Sequence, residues 1–176
     1  MRKLLLATFA VASLSAAAAT PSGEIMIAGK QLGAAVVGQF RNFSAQVRLD
    51  PSTPGTGNVK IEVDTASIDI GLEDFNQELR AKTWFDSKNH PQATFTGSFK
   101  QTAPDRVMAS GQLAIKGTTR EVTFPASVKS EGTTRVFEGA VPIRRTDFNV
   151  GEGEWKATDT VADEVQIRFR ILVPVK

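Results

Sequence analysis

Residues 165–175 read Val-Gln-Ile-Arg-Phe-Arg-Ile-Leu-Val-Pro-Val, with an apolar side chain at every odd position and mostly polar ones between. A period of two is the spacing of side chains along one face of a β-strand, so this stretch offers one face to an apolar interior and one to water. The alternation recurs along most of the chain. Phe43, Ala45, Val47 and Leu49 alternate with polar neighbours, and Val59, Ile61 and Val63 return beyond a Pro- and Gly-rich turn over 51–57. Ala93, Phe95, Gly97 and Phe99 follow, then Val107, Ala109, Gly111, Leu113 and Ile115. Val122, Phe124, Ala126 and Val128 come next, and then Phe137, Gly139, Val141 and Ile143. With a strand over 24–28, that makes about eight strands of an all-β domain. Residues 20–23 read as a flexible lead, and 29–38 are too rich in Gly and Ala to assign.

One segment breaks the pattern. Over 73–82, Phe75, Leu79 and Lys82 fall at helical spacing, which predicts a short helix with Phe75 and Leu79 against the core and Glu73, Asp74 and Glu78 in water. Eight antiparallel strands with one consistent apolar face either close into a barrel or stack as a sandwich. Small residues such as Ala93, Gly97, Ala109 and Gly111 would leave space between the phenylalanines, and periodicity cannot say whether that space stays hollow.

The N-terminus reads as an export signal: Arg2 and Lys3, an apolar stretch over 4–14, and small residues over 15–19. The domain is then 20–176, and its expected location is periplasmic or secreted. The whole chain carries 21 basic and 19 acidic residues, and without Arg2 and Lys3 the two signs balance at 19 each. Nucleic acid therefore has no electrostatic support as a partner. There is no cysteine, hence no disulfide and no thiol nucleophile, and only one histidine, His90, beside a proline in a polar turn. A zinc shell or a serine–histidine pair has too few suitable residues, and no Gly-x-Ser-x-Gly elbow occurs. The expectation is a binding protein that needs no cofactor and no metal, and that is not an enzyme. A hydrolase with a carboxylate site near Glu78 is a distant rival.

Five segments, in order, carry a family resemblance. They are Gly38-Gln39-Phe40-x-x-Phe43; Trp84-Phe85-Asp86 with Pro91-x-x-x-Phe95; Gly111-x-Leu113-x-Ile115-Lys116-Gly117-x-Thr119; Arg145-x-Asp147-Phe148-x-Val150-Gly151; and Asp163-x-Val165-x-Ile167. Together they resemble the exported branch of the YceI-like polyisoprenoid-binding family. That resemblance implies a lipocalin-like, eight-stranded antiparallel barrel around an elongated apolar channel for an isoprenoid lipid, either a polyprenyl chain or a quinone tail. Many relatives carry Arg-Asp-x-His-Leu in the helical segment, where this chain has Phe75-Asn76-Gln77-Glu78-Leu79. Any head-group contact made by that charged trio is therefore absent or altered here.

The expected ligand-binding residues are Phe40, Phe43, Phe95, Phe99, Leu113, Phe124, Val141 and Phe169 from the strands, and Phe75, Leu79, Trp84 and Phe85 from the helix and its exit. Arg145, Phe148 and Trp155 join them from the loops. Arg145 is read either as a clamp that pins a loop or as a contact to an anionic or carbonyl head group. Trp155 is read either as a rim over the ligand or as edge packing. The alternative reading is a barrel filled by its own side chains, serving as a partner-binding module for a membrane or redox protein. An unpaired edge strand near either terminus would leave a homodimer open.

Overall fold

The computed structural model describes residues 22–174, so the expected signal segment lies outside the described residues. Ten strands form one sheet: β1 (Ser22–Gln31), β2 (Ala34–Phe40), β3 (Phe43–Leu49), β4 (Thr56–Asp64), β5 (Ile68–Asp69), β6 (Gln92–Ala103), β7 (Arg106–Ile115), β8 (Thr118–Glu131), β9 (Thr134–Arg144) and β10 (Glu164–Pro174). Their order is β3-β4-β6-β7-β8-β9-β10-β1-β2-β5, with every neighbouring pair antiparallel. The sheet curls into a half-barrel around one apolar interior. The all-β, barrel-like expectation holds, and the strand count is ten rather than eight.

Both extra strands have a local cause. The Gly- and Ala-rich stretch becomes β2, joined to β1 by a two-residue turn in which Leu32 and Gly33 both have positive φ. β5 is only two residues long and borders β2 at Gln39 and Phe40. The flexible lead expected over 20–23 is corrected at Ser22 and Gly23, which pair with Leu172 and Ile171, while 20–21 lie outside the described residues.

Glycines seat the aromatic rings. A Cβ on Gly57 would lie 2.6 Å from the Phe99 ring, and one on Gly139 would lie 2.7 Å from the Phe169 ring. Gly97 and Gly111 face each other across β6 and β7, so close that a Cβ on either would collide with the opposite backbone. The space expected at these two glycines is thus taken up by backbone contact. Ala93 and Ala109 do border the cavity described below.

The ladder between β8 and β9 runs only from Ala126–Gly139 to Glu131–Thr134. Beyond it the first half of β8 pairs with β7 alone, and the last half of β9 with β10 alone. Pro125 stands just past the last pair on β8 and Pro142 three residues beyond Gly139 on β9, and neither has an N–H to offer a ladder. A 3-10 turn, Arg145–Phe148, packs against both strands where they part.

The helix α1 (Glu73–Arg80) is two residues shorter than expected at its end and lies across one end of the interior. Its buried residue is Asn76, not Phe75. The Asn76 Oδ1 accepts from the Ile70 N–H at 2.8 Å, and its amide donates to Asp69 Oδ1 at 3.2 Å, which ties α1 to β5.

Candidate functional site

The concave face of the sheet encloses a cavity of about 250 Å³, close to the lower end of small-molecule clefts. Side chains on every strand except β5 border it, and α1 with the segment after it covers one end. The walls are almost wholly apolar. Phe95 and Phe124 rings lie 5.4 Å apart and Phe124 and Phe169 5.7 Å apart, so three aromatics from β6, β8 and β10 run along one wall. Phe99 meets Phe137 at 5.6 Å, and Phe40 meets Phe85 edge-on at 5.6 Å. These centroid spacings are those of favourable aromatic pairs.

Thirteen of the fifteen expected residues border this cavity: Phe40, Phe75, Leu79, Trp84, Phe85, Phe95, Phe99, Leu113, Phe124, Val141, Arg145, Trp155 and Phe169. Two do not. Phe43 is half-buried at the start of β3 and packs on the core beside the cavity. Phe148 is buried in the 3-10 turn where β8 and β9 part, next to an outer cleft lined by Arg120, Arg144, Asp147 and Glu164. Phe75 borders the cavity but is 46% exposed, so the expectation that it faces the core is corrected. A helix laid across an opening shows its apolar face partly to the cavity and partly to water. Leu79, one turn on, is half-buried against the core.

At the end near α1 the polar groups gather. The Trp155 indole N–H donates to Glu78 Oε1 at 2.9 Å, and the Thr83 hydroxyl donates to the same oxygen at 3.3 Å. Trp155 packs on Trp84 at 5.7 Å, and the Arg145 guanidinium lies 5.8 Å from the centre of the Trp84 ring. Glu78 was expected to face water. It is half-buried and borders the cavity, because α1 presents that side to Trp155.

Arg145 is 2% exposed and donates to six backbone carbonyls. Nε reaches Ala162, Nη1 reaches Val150 and Gly151 at 3.0 Å each, and Nη2 reaches Trp155 and Val161 at 2.8 Å and Ala157 at 3.2 Å. A guanidinium has five N–H groups, so every one of them is engaged. This is the clamp geometry: one side chain pins the 150–162 loop over the cavity end. Burial pushes the Arg145 pKa down, and the charge of Asp163 offsets part of that.

Sequence reading assigned Lys116 no role. Its Nζ donates to the Asn149 carbonyl at 2.7 Å and pairs with Glu152 at 2.8 Å, holding the other side of the same loop. Its place in the Ile-Lys-Gly-x-Thr turn was the available signal, and the structure puts it there at positive φ. Asn149 also has positive φ, at 56°, which Asn tolerates better than most residues. His90 sits in its turn 4.0 Å from Asp86, and no cluster of three metal-ligating side chains occurs among the described residues.

The fold is thus an antiparallel sheet curled into a half-barrel around an apolar cavity. Residues 15–173 match the model of the YceI-like domain, and the chain belongs to that family. Protein YceI of Escherichia coli O157:H7 is 27% identical over 119 residues, which is 64% of this chain and 62% of that relative. The fold is shared with BcnA of Burkholderia cenocepacia at a TM-score of 0.82 and 40% identity, over 86% of this chain and 96% of that one. It is shared also with a polyisoprenoid binding domain from Saccharophagus degradans, at a TM-score of 0.70 and 14% identity, over 88% and 94%.

Proposed function

We propose that this protein holds a long apolar isoprenoid-type lipid, a polyprenyl chain or a quinone tail, non-covalently in its cavity, for transport or storage outside the cytoplasm. The observation that carries the reading is the cavity itself: about 250 Å³ of space bordered by side chains from nearly every strand, almost all apolar. Membership of the YceI-like family supports it, as does a structural neighbour that is a polyisoprenoid binding domain. The driving force is removal of isoprenoid surface from water, about 25 cal/mol per Å² before the ligand's ordering is subtracted. Aromatic rings seated on glycines supply stiff walls, so few side chains have to be ordered when the ligand enters. Binding rather than catalysis also agrees with a chain that has one histidine and no cysteine.

A barrel filled by its own side chains finds less support, since space remains between those side chains. The export layout of the first residues supports a periplasmic or secreted location. Organic-solvent extraction of the purified protein, with mass spectrometry of the extract and a denatured control, tests the reading. The expected result is a stoichiometric isoprenoid. A blank that persists after incubation with polyprenols and quinones overturns it and moves the function to a partner-binding surface.

A further inference from the structure

The polar side chains that border the cavity are few: Lys30, Gln31, Glu78, Thr94 and Arg145, with the indoles of Trp84 and Trp155. The Trp155 N–H is spent on Glu78, and the Trp84 N–H, without a partner among the described residues, is buried with almost no surface to present to an occupant. Lys30 is exposed, Gln31 and Thr94 are neutral, and every donor of Arg145 is taken by backbone carbonyls. Glu78 is different. Its Oε1 accepts from Trp155 and Thr83, but among the described residues no group donates to Oε2 and no cation lies within ion-pair distance. An ionised carboxylate has about four lone-pair sites and nothing to donate. The charged group this end offers to an occupant is therefore a fixed acceptor, its rotamer held by the Trp155 indole, which packs in turn on Trp84.

An acceptor in an apolar cavity discriminates by chemistry. A hydroxyl at the end of an apolar chain satisfies it through a charge-assisted hydrogen bond. A quinone carbonyl, an ether or a bare hydrocarbon leaves it unpaired while excluding the water that had solvated it, which is the costly case. We propose that Glu78 is a specificity-determining residue that selects hydroxyl-terminated isoprenoids, polyprenols and hydroquinones, over quinones, ethers and hydrocarbons of the same length. The inference rests on the lipid-container reading.

The test compares geranylgeraniol with its O-methyl ether, which share one chain and differ in the O–H donor. Competition against a fluorescent polyene, with wild type and Glu78→Gln, gives the affinities. Wild type is expected to bind the alcohol at least about tenfold more tightly. Glu78→Gln keeps an amide oxygen for Trp155 and Thr83 but puts an N–H₂ in place of the free oxygen. The alcohol preference should then fall to about twofold or less, with affinity for the ether equal or higher. Equal binding of both compounds by wild type overturns the proposal without any variant having to fold. So does a preference that survives Glu78→Gln. If wild type binds neither compound and its extract is blank, the container reading fails and the selectivity falls with it.

Discussion

Arg145 shows how one buried charge can organise a loop without a carboxylate in contact. Its six carbonyl partners come from a loop that makes little regular structure of its own, so the guanidinium substitutes for a sheet ladder. A lysine has three donors at one point and cannot reproduce the fork. Arg145→Lys should therefore cost about 3 kcal/mol of stability, read from urea unfolding, by leaving buried carbonyls unpaired. Amide exchange should quicken within 150–162 before it does in the strands. A second prediction concerns acid. The Arg41 guanidinium beside Asp69, with the Gly71 N–H and the Asn76 amide, holds the Asp69 carboxyl down to about 2. Because the folded pKa lies below the unfolded one, the stabilisation is present above about pH 4. It is lost as pH falls toward 2. Asp69→Asn should flatten the urea midpoint across that window, and an unchanged acid limb would place the effect elsewhere. Asp163 works in the same direction: burial raises its pKa, but the Thr146 hydroxyl and N–H, with Arg144 and Arg145, outweigh that and hold it below the ordinary value. At this scale the sequence was partly legible. It raised Arg145 as clamp or head-group contact, and only geometry could count the carbonyls. It could not see Asn76, because a polar residue within an amphipathic helix reads as solvent-facing until its tie to β5 is known.

Alternation made most of the strands legible, since a half-buried strand must write its two faces into the sequence. It failed where side chains were too small or elements too short to carry a pattern. The β1–β2 hairpin is the case in point: Ala34, Ala35 and Gly38 leave no clear face, and Leu32-Gly33 is not a familiar turn pair. Two-residue turns with both φ values positive favour Asn-Gly or Asp-Gly. Leu32 adopts φ 49° with 78% of its surface exposed, so it is strained and gains nothing from burial. Leu32→Asn should stabilise the protein by about 1 kcal/mol, visible as a raised melting temperature. The paired glycines of β6 and β7 predict the opposite sign. A methyl on Gly97 has the Ser110 carbonyl and the Gly111 Cα in its way, so Gly97→Ala should cost about 1–3 kcal/mol as the strands shift. Gly33→Ala, with open space around its Cβ, should be limited to the cost of its positive φ.

The molecule as a whole is a curled sheet whose wall is uneven. It is continuous from β3 through β8, parts between β8 and β9 beyond Ala126 and Gly139, and continues through β10 to the two-residue β5. The period-two pattern predicted that an interior exists, and family resemblance predicted that it is hollow. How far the hollow extends depends on how rings pack and where strands part, which no residue pattern states. A cavity of about 250 Å³ that takes a polyprenyl chain, as proposed, predicts a definite chain-length dependence. Each methylene that enters adds about 0.8 kcal/mol before ordering costs, and each that stays in water adds nothing. Affinity across polyprenols of ten, fifteen, twenty and forty carbons should therefore rise steeply and then level off once the enclosed space is filled. Competition binding at constant head group measures this directly. On the proposed function, a plateau would give the number of isoprene units the cavity takes. A rise continuing to forty carbons would contradict that limit and require the chain to run out of the cavity, past the stretch where β8 and β9 are unpaired or past the sheet edges at β3 and β5.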